Sequence, residues 1–454
     1  MDKIKFKEIG NKIKKIIKNK KDIKGVAPSE IAAYLKKLKK EDSDRFLEYL
    51  KKLPPEVLGE VLLELPESLK EEAIRELSAE KLAVAIEELE SDDATDLIKD
   101  IEEVDENLER KIYENLDEEQ KEEIEKLSAY EEDQAGAYMQ LEVFEARLDE
   151  TIQEAISRLR RLKEEGELEN IQQVYVVDED RHLKAIIPLG DLITFDFKKR
   201  FKDIVKEGSY EPISVRATEP IKDVIKKFED YNLPVLAVVD DNGRLLGRIT
   251  SDDIIDLIEE QATEQLYNLA GVEEEAEEED DIKIVTKKRA WWLFINLWTA
   301  IFASLVIGLF DETIQKYVAL AVLMPIVASM GGNAGTQTLT VVVRKLALGE
   351  IDWDNAKEAL YKETLVSLFN GLIFAVVMGA IAWVWFSDWM LGAVIAMAMV
   401  INLLAAGFFG AVIPLVLKKI GADPAVGSSV VLTTVTDVVG FFAFLGLAKL
   451  LLVK

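Results

Sequence analysis

From Arg289 onward the chain alternates long apolar runs with short polar breaks: Ala290–Phe310, Tyr317–Val343, Thr364–Phe386, Trp389–Leu417 and Val426–Val453, each at least 21 residues long. About 20 residues of helix cross the hydrocarbon of a bilayer. The pattern therefore predicts five transmembrane helices. Ahead of them, from Ser29 to about Ser128, the chain reads as a succession of short polar helices. Leu53, Leu65, Leu77, Leu89 and Ile101 recur every twelve residues there, the leucines closing segments such as Pro55–Leu65. So short a period predicts stacked helices around a shared apolar seam, as in solenoids; an ordinary bundle of amphipathic helices would carry the same pattern.

From about Gly136 the periodicity becomes mixed helix and strand, and it repeats. Val176-Val177-Asp178 with Leu183, Ile187, Asp191 and Ile193 returns 62 residues later as Val238-Val239-Asp240 with Leu245, Ile249, Asp253 and Ile255. Each copy holds a helix (Thr151–Leu162; Ile221–Tyr231), an apolar strand, an acidic turn and a second strand, a tandem βαββα-like repeat. The basic stretch before Gly25 predicts an amphipathic helix, for which contact with a membrane surface and simple solvation both fit. It lacks the continuous apolar core of a secretory signal. Between the repeat and the first apolar run lies Gln261–Thr286, in which Glu273–Asp281 is acidic at every position except Ala276. That segment either transmits movement toward the membrane or is a solvated linker.

Charge divides the chain the same way. Lys and Arg number 56 against 85 Asp and Glu, a formal charge of −29, and from Arg289 to the end ten basic residues balance ten acidic ones. The whole excess therefore lies in residues 1–288. Such a surface excludes nucleic acid as the main partner, because a phosphate backbone calls for clustered positive charge; cations are the natural partners. With no cysteine, and His182 as the single histidine, there is neither a disulfide framework nor a zinc cluster. No nucleophile and base, nor a Walker-type phosphate loop, speaks for an enzyme. Lys287, Lys288 and Arg289 precede the first run, Arg344, Lys345, Lys357 and Lys362 follow the second, and Lys418 and Lys419 follow the fourth. The positive-inside rule places the N-terminus in the cytoplasm and, after five crossings, Lys454 outside.

Ionisable groups at membrane depth cost roughly 2.5–3.5 kcal/mol on insertion scales and normally face a cavity, a partner or an ion path. Asp437 is such a group, near the middle of the fifth run and without a basic residue in the centre of any run to neutralise it. A mobile cation is its natural counter-charge; a protonated carboxyl bonded to another helix is the alternative. The stretches Ser329–Thr338 and Thr433–Asp437 are polar at similar depth. A hard, hydrated ion such as Mg²⁺ calls for one carboxylate and neutral oxygens facing its waters, a demand that Asp437 with Asn333, Thr336 and Thr434 would meet. Close packing by Gly331, Gly332 and Gly335, with Asn333 and the threonines as interhelical glue, would also explain them. Asp423 and Pro424 either line the inner mouth or cap the fifth helix, and the cap is the expectation. In the acidic half, Asp92 and Asp96 share a helix face at i,i+4, while Asp252, Asp253, Asp256, Glu259, Glu260 and Glu264 gather after the second copy. Acids so close repel unless cations intervene, although charge runs are most often solvated faces.

At these residues the chain resembles a known family. Pro325-Ile-Val-Ala-Ser-Met-Gly-Gly-Asn-Ala-Gly-Thr-Gln337, Ala422-Asp-Pro-Ala425 and Thr433-Thr-Val-Thr-Asp-Val-Val-Gly440 look like the membrane domain of the MgtE magnesium channels, and the tandem repeat resembles a pair of cystathionine-β-synthase-type (CBS) modules. The resemblance implies a multidomain membrane protein: a basic amphipathic segment (1–25), an all-α superhelical domain (26–135), an α/β tandem CBS pair (136–260), a long connecting, or plug, helix (261–288) and a five-helix transmembrane domain (289–454). It implies a homodimer in the inner membrane with a pore on its two-fold axis, Asp437 as the ion-selecting carboxylate and Asn333 in the lining. It further implies regulatory Mg²⁺ between the cytoplasmic parts, held by Asp92, Asp96, Asp253, Asp256 and Glu264; Asn232, Gln261 and Gln265 stand where relatives often carry acids. Thr250 and Asp253 would hold the ribose of ATP or another adenine nucleotide, whereas the first copy departs from the second by Arg181 and Ala185 in place of Gly243 and Gly247. The reading is thus an Mg²⁺-selective uptake channel gated by cytoplasmic Mg²⁺. Its rivals are a transporter or exchanger of Co²⁺, Mn²⁺ or another divalent ion, and a membrane-anchored CBS-type receptor without ion flux.

Overall fold

Among the described residues, nine helices lie between Lys3 and Ser128: α1 (Lys3–Asn19), α2 (Pro28–Glu41), α3 (Ser43–Lys52), α4 (Pro55–Leu63), α5 (Glu67–Glu76), α6 (Ala79–Glu87), α7 (Ser91–Val104), α8 (Glu106–Asn115) and α9 (Glu118–Ser128). Asp42, Ser78, Asp105 and Asp117 start α3, α6, α8 and α9 by accepting a backbone N–H of the first turn, the Asp117 bond to Gln120 N being 2.8 Å; such caps contribute roughly 1 kcal/mol each. From α2 on, helices pack on their second neighbours, α2 on α4, α6 and α8 in one row and α3 on α5, α7 and α9 in the other. That is a short superhelical stack. Leu53, Leu65 and Leu77 of the twelve-residue row are buried at the links between helices, whereas Ile101 is buried inside α7. The period thus marks the corners of the stack. In α1, Ile9, Ile13 and Ile16 are fully buried and Phe6 stacks on Tyr34 with ring centroids 4.5 Å apart. Its apolar face belongs to the helical core, and the described lysines of the helix are exposed.

The repeat folds into two three-stranded sheets, β1 (Glu145–Arg147), β2 (Gln173–Val177) and β3 (Leu183–Pro188), then β4 (Ser214–Arg216), β5 (Val235–Val239) and β6 (Leu245–Thr250). In each, the first strand is parallel to the second and the second antiparallel to the third. The registers repeat with the sequence: Val174 faces Ile187 as Leu236 faces Ile249, and an irregularity falls at Val176/Val177 as at Val238/Val239. The crossover helix Ile152–Glu165 starts in a capping box of Thr151 and Glu154 and runs past the expected Leu162 to Gly166, whose φ of +81° ends it. The two copies pair reciprocally through their acidic turns, Leu183 N donating to Gly243 O and Leu245 N to Arg181 O, both at 3.0 Å. Arg181, at φ +65°, makes the same left-handed turn as Gly243.

The described residues are 3–19, 26–166, 168, 170–206, 210–272, 282–353 and 355–453 of a computed structural model; the acidic run Glu273–Asp281 lies outside them. They divide into two units, Met1–Glu259 and Glu260–Lys454. In the second, five helices are long and apolar enough to cross a membrane: Ile282–Gly308, Ala319–Ala347, Ala356–Phe386, Trp389–Lys419 and Ser428–Leu451. The first and third begin about eight residues ahead of their apolar runs. Helical hydrogen bonding continues through polar turns that an apolar pattern cannot register. The fourth helix is the hub, packed on the second, third and fifth, while the first presents Trp291, Phe294, Leu297 and Trp298 outward, as a lipid-facing helix does.

One glycine of the repeat is fixed by backbone approach. Gln140 N donates to Arg248 O at 2.7 Å and Arg248 N to Gln140 O at 2.9 Å, and a Cβ on Gly247 would lie 2.5 Å from Gln140 O. Gly247→Ala is expected to destabilise the CBS pair by about 1–3 kcal/mol, the range of overpacking substitutions, read as a lower unfolding temperature and faster proteolysis near Gln140.

Candidate functional site

Acidic side chains converge inside the first unit, where the helical stack meets the CBS pair. Ser91 N and Oγ donate to the Glu142 carboxylate at 3.0 and 2.9 Å, and Ser91 Oγ accepts from Leu141 N at 2.8 Å. This stitch seats the first turn of α7, Glu90-Ser-Asp-Asp, against the segment leading into β1. Asp92 is buried, and burial together with Asp93, Asp253 and Glu142 holds its carboxyl far above the usual carboxylate range. Burial, then Asp253 and Asp96, pushes Asp93 up to about 7. Burial and the charges of Glu142, Asp253 and Asp252 push Glu90 up to about 7 as well, against the pull of Arg248, whose guanidinium lies 3.8 Å away. Asp253 is raised by burial and by Asp252 and Asp256, while Thr250 opposes the rise through its hydroxyl, which donates to Asp253 Oδ2 at 2.6 Å. Asp256 is exposed on the same helix, and burial followed by the Asp256 charge raises Glu64, just past α4.

The structure therefore brings Asp92, Asp253 and Asp256 into one electrostatic neighbourhood. Asp96 lies at its edge, exposed and paired with Lys99 at 3.2 Å. Glu264 belongs to the second unit, where it accepts from Asn268 Nδ2 at 3.3 Å. Glu90, Asp93 and Glu142 are members that sequence reasoning missed. Glu90 and Asp93 flank Asp92 in the chain and could have been counted with it, whereas Glu142 is joined only by the fold. Among the described residues no three Asp, Glu or His side chains form a ready cage for a bare ion. The arrangement is a field of oxygens around solvent, which suits a hard cation that keeps its waters.

Beside these acids opens a cleft of about 440 Å³ lined by Glu90, Gln140, Lys163, Arg248, Thr250 and Asp252 among others. Arg248 is buried there and donates to Gln140 Oε1 at 3.1 Å and Asn170 O at 3.2 Å. Thr250 lines the cleft and ties Asp253 to itself, so the two candidate nucleotide residues are joined by one hydrogen bond.

In the second unit, Asp437 stands at the tenth position of the helix Ser428–Leu451, half-buried and without a hydrogen bond or ion pair among the described residues. Nearby hydroxyls turn their protons to the backbone, Thr434 to Val430 O at 2.8 Å and Thr336 to Gly332 O at 2.9 Å. Their oxygens are left as acceptors, which is what the outward-pointing hydrogens of a hydrated cation need. Asn333 is exposed and donates to Ser329 Oγ at 3.3 Å. Ser329, Asn333, Thr336 and Thr340 form one exposed polar stripe, while Val327, Gly331, Gly335, Leu339 and Val342 are buried on the other side of the same helix. Leu269, near the end of the helix Ser251–Ala270, packs against Leu339 and Val343 of the second span, Leu432 of the fifth and Ala425 just before it. Asp423 does not cap the fifth helix as expected. That helix starts at Ser428 without a side-chain cap, because Asp423 Oδ1 is taken by Ala425 N at 2.8 Å and Oδ2 by Asn268 Nδ2 at 3.3 Å.

Acids raised by folding stabilise the closed contact fully below their unfolded values, near 4, and that contribution is lost as pH rises through their folded values, about 7 for Glu90 and Asp93. Without divalent ions, proteolysis of the connection around 129–142 is thus expected to quicken severalfold from pH 5 to pH 8. Millimolar Mg²⁺ should reverse this at pH 8 in the parent and much less in Asp92→Asn/Asp93→Asn.

Residues 324–447 match the MgtE family, described as a divalent cation transporter, residues 26–133 the MgtE intracellular N domain, and residues 135–198 and 202–260 CBS domains. The chain is 32% identical over 332 residues to the magnesium transporter MgtE of Thermus thermophilus, covering 73% of this chain and 72% of that protein. It is 33% identical over 328 residues to the magnesium transporter MgtE of Enterococcus faecalis, covering 72% and 71%. Among solved structures, it is similar to the cytosolic domain of the Mg²⁺ channel MgtE in complex with ATP, at 31% identity and a TM-score of 0.47 over 52% of this chain and 91% of that one.

Proposed function

This chain belongs to the MgtE family of magnesium transporters, and from that premise we propose that it is a homodimeric Mg²⁺ channel of the inner membrane whose opening is controlled by cytoplasmic Mg²⁺. The observation that carries the control is a single helix. Ser251–Ala270 begins with Asp252, Asp253 and Asp256 of the acidic field and ends with Leu269 packed on the inner ends of the second and fifth spans. When Mg²⁺ is high, hydrated ions neutralise the field formed with Asp92 and Asp96, the cytoplasmic contacts close, and the helix end stays seated under the pore, with Glu264 contributing from its middle turns. When Mg²⁺ is low, the carboxylates repel, the contact loosens, and the seat is vacated. Regulation of this kind requires only that the closed state bind Mg²⁺ more tightly than the open one.

The conduction path follows from the exposed stripe Ser329–Asn333–Thr336–Thr340 and the unpaired Asp437. Polar side chains at bilayer depth call for a cover or a water-filled path, and a second copy related by a two-fold axis would supply both, placing two Asp437 carboxylates around one hydrated ion. An all-oxygen lining favours Mg²⁺ over softer ions. The excess of Lys and Arg beside the first, second and fourth spans supports a cytoplasmic N-terminus and an outer C-terminus. The cleft at Thr250 and Arg248 is the place an adenine nucleotide would occupy, its phosphates toward Arg248 and Lys163 and its ribose toward Thr250 and Asp253.

The test is Mg²⁺ influx into liposomes holding the purified full chain. Asp437→Ala is expected to lower influx at least tenfold without loss of folded protein; equal influx in parent and variant sinks the pore assignment, and no influx into a low-Mg²⁺ lumen in either points to a receptor. Faster uptake of Co²⁺ or Mn²⁺ in competition with Mg²⁺ would favour the exchanger. Leu269→Ala should leave conduction intact and weaken closure, so that inhibition needs severalfold more Mg²⁺ on the cytoplasmic side.

A further inference from the structure

Asn402 lies in the fourth span with no exposed surface. Its Nδ2 donates to Val327 O at 2.8 Å, and its Oδ1 is buried without a partner among the described residues. Two glycines make room for this amide. A Cβ on Gly331 would fall 2.3 Å from Asn402 Nδ2, and a Cβ on Gly440 would fall 2.7 Å from the same atom. Gly331 is two residues before Asn333 and Gly440 three after Asp437, so one side chain occupies the meeting point of three spans beside both residues assigned to the ion path. Val327 O lies one helical turn before Gly331, in the stretch that leads from Pro325 to the polar stripe.

The Nδ2 bond to Val327 O ties two spans together, but stability does not account for the unpaired Oδ1. A buried acceptor left unpaired is unfavourable, and an apolar side chain of like volume at the hub would carry no such penalty. What an amide adds is a directional bond with a fixed length. Resting on the pore reading above, we propose that Asn402 is a positioning residue for ion discrimination. By holding Val327 O on one side and filling the notch at Gly440 on the other, it sets how far the second span, with Asn333, stands from the fifth, with Asp437. A path that accepts a hydrated ion through outer waters discriminates by the width between its oxygens. Mg²⁺ is small and keeps its waters, whereas Ca²⁺ is larger, tolerates many coordination numbers and sheds water readily. A shift of the two spans therefore changes the Mg²⁺/Ca²⁺ preference before it abolishes conduction.

The experiment compares Mg²⁺ and Ca²⁺ influx, each read with its own indicator, into liposomes holding the full-length parent, Asn402→Leu, Asn402→Ser and Gly331→Ala, with unfolding temperature and size recorded for each. Asn402→Leu is expected to stay folded and conducting while its Mg²⁺/Ca²⁺ influx ratio falls at least tenfold. Asn402→Ser, which keeps a donor for Val327 O, should retain most of the parental ratio, and Gly331→Ala, which pushes on the same amide from the second span, should lower it. A parental ratio in folded Asn402→Leu overturns the proposal. Should that variant not fold, a parental ratio in Gly331→Ala overturns it equally. Failure of the pore reading is seen separately, as influx unaffected by Asp437→Ala, and does not depend on any of these ratios.

Discussion

Carboxylates that outnumber their fixed counter-cations organise this protein. At the junction of the helical stack and the CBS pair, Glu90, Asp92, Asp93 and Asp253 lie buried in one another's fields, with Glu142 beside them and Arg248 as a close guanidinium, and burial first and the neighbouring acids second push those four carboxyls upward. In the membrane unit, half-buried Asp437 has no hydrogen bond or ion pair among the described residues. Both arrangements are unfavourable for the protein alone, and under the proposed function a mobile cation relieves both. A protein selected only for stability would have replaced or paired these groups. Under the proposed function, these are the two places where the structure meets the ion.

The two places differ in how they meet the same demand. The cytoplasmic acids come from segments far apart in sequence, so their mutual distance depends on how well two folded parts stay together, and that dependence makes them responsive. In the membrane, Asn333 and Asp437 sit on helices locked by packing around the fourth span, where glycines let backbones and the Asn402 amide approach closely. Under the proposed function, such packing suits recognition of a hydrated ion of one size. The helix Ser251–Ala270 carries acids at its start and packs Leu269 against the second and fifth spans near its end, and the proposed control rests on that helix.

The tandem repeat has a structural role that its sequence only half declares. Its copies agree in register down to the strand irregularity, yet they diverge where they meet other parts. Gly247 admits the backbone of Gln140, and the Arg248 next to it reaches the cleft beside Glu90, while Ala185 of the first copy belongs to an ordinary apolar core. Divergence of the two copies is thus where a symmetric unit was fitted to an asymmetric neighbour.

Much of this was legible in the sequence because it is governed by local periodicity. Five apolar runs long enough to cross a bilayer, a 62-residue repeat with alternating strands and a twelve-residue leucine row each reflect a geometry that neighbouring residues impose on one another. Asp437 was legible for the same reason, since a lone acid in an apolar run has no local explanation. What the tertiary structure alone decided is what depends on distant segments coming together. The leucine row turned out to mark corners of the stack, the basic helix α1 turned out to bury its isoleucines, and Asp423 gave its carboxylate to Ala425 and Asn268 rather than to the fifth helix. Glu142 entered the acidic field from fifty residues away, and Asn402, unremarkable in its apolar run, became the point where three spans meet. Periodicity reports which face of an element is apolar. It carries no information about which other element will fill that face, because that choice is made by shape and polar satisfaction across the whole packed chain.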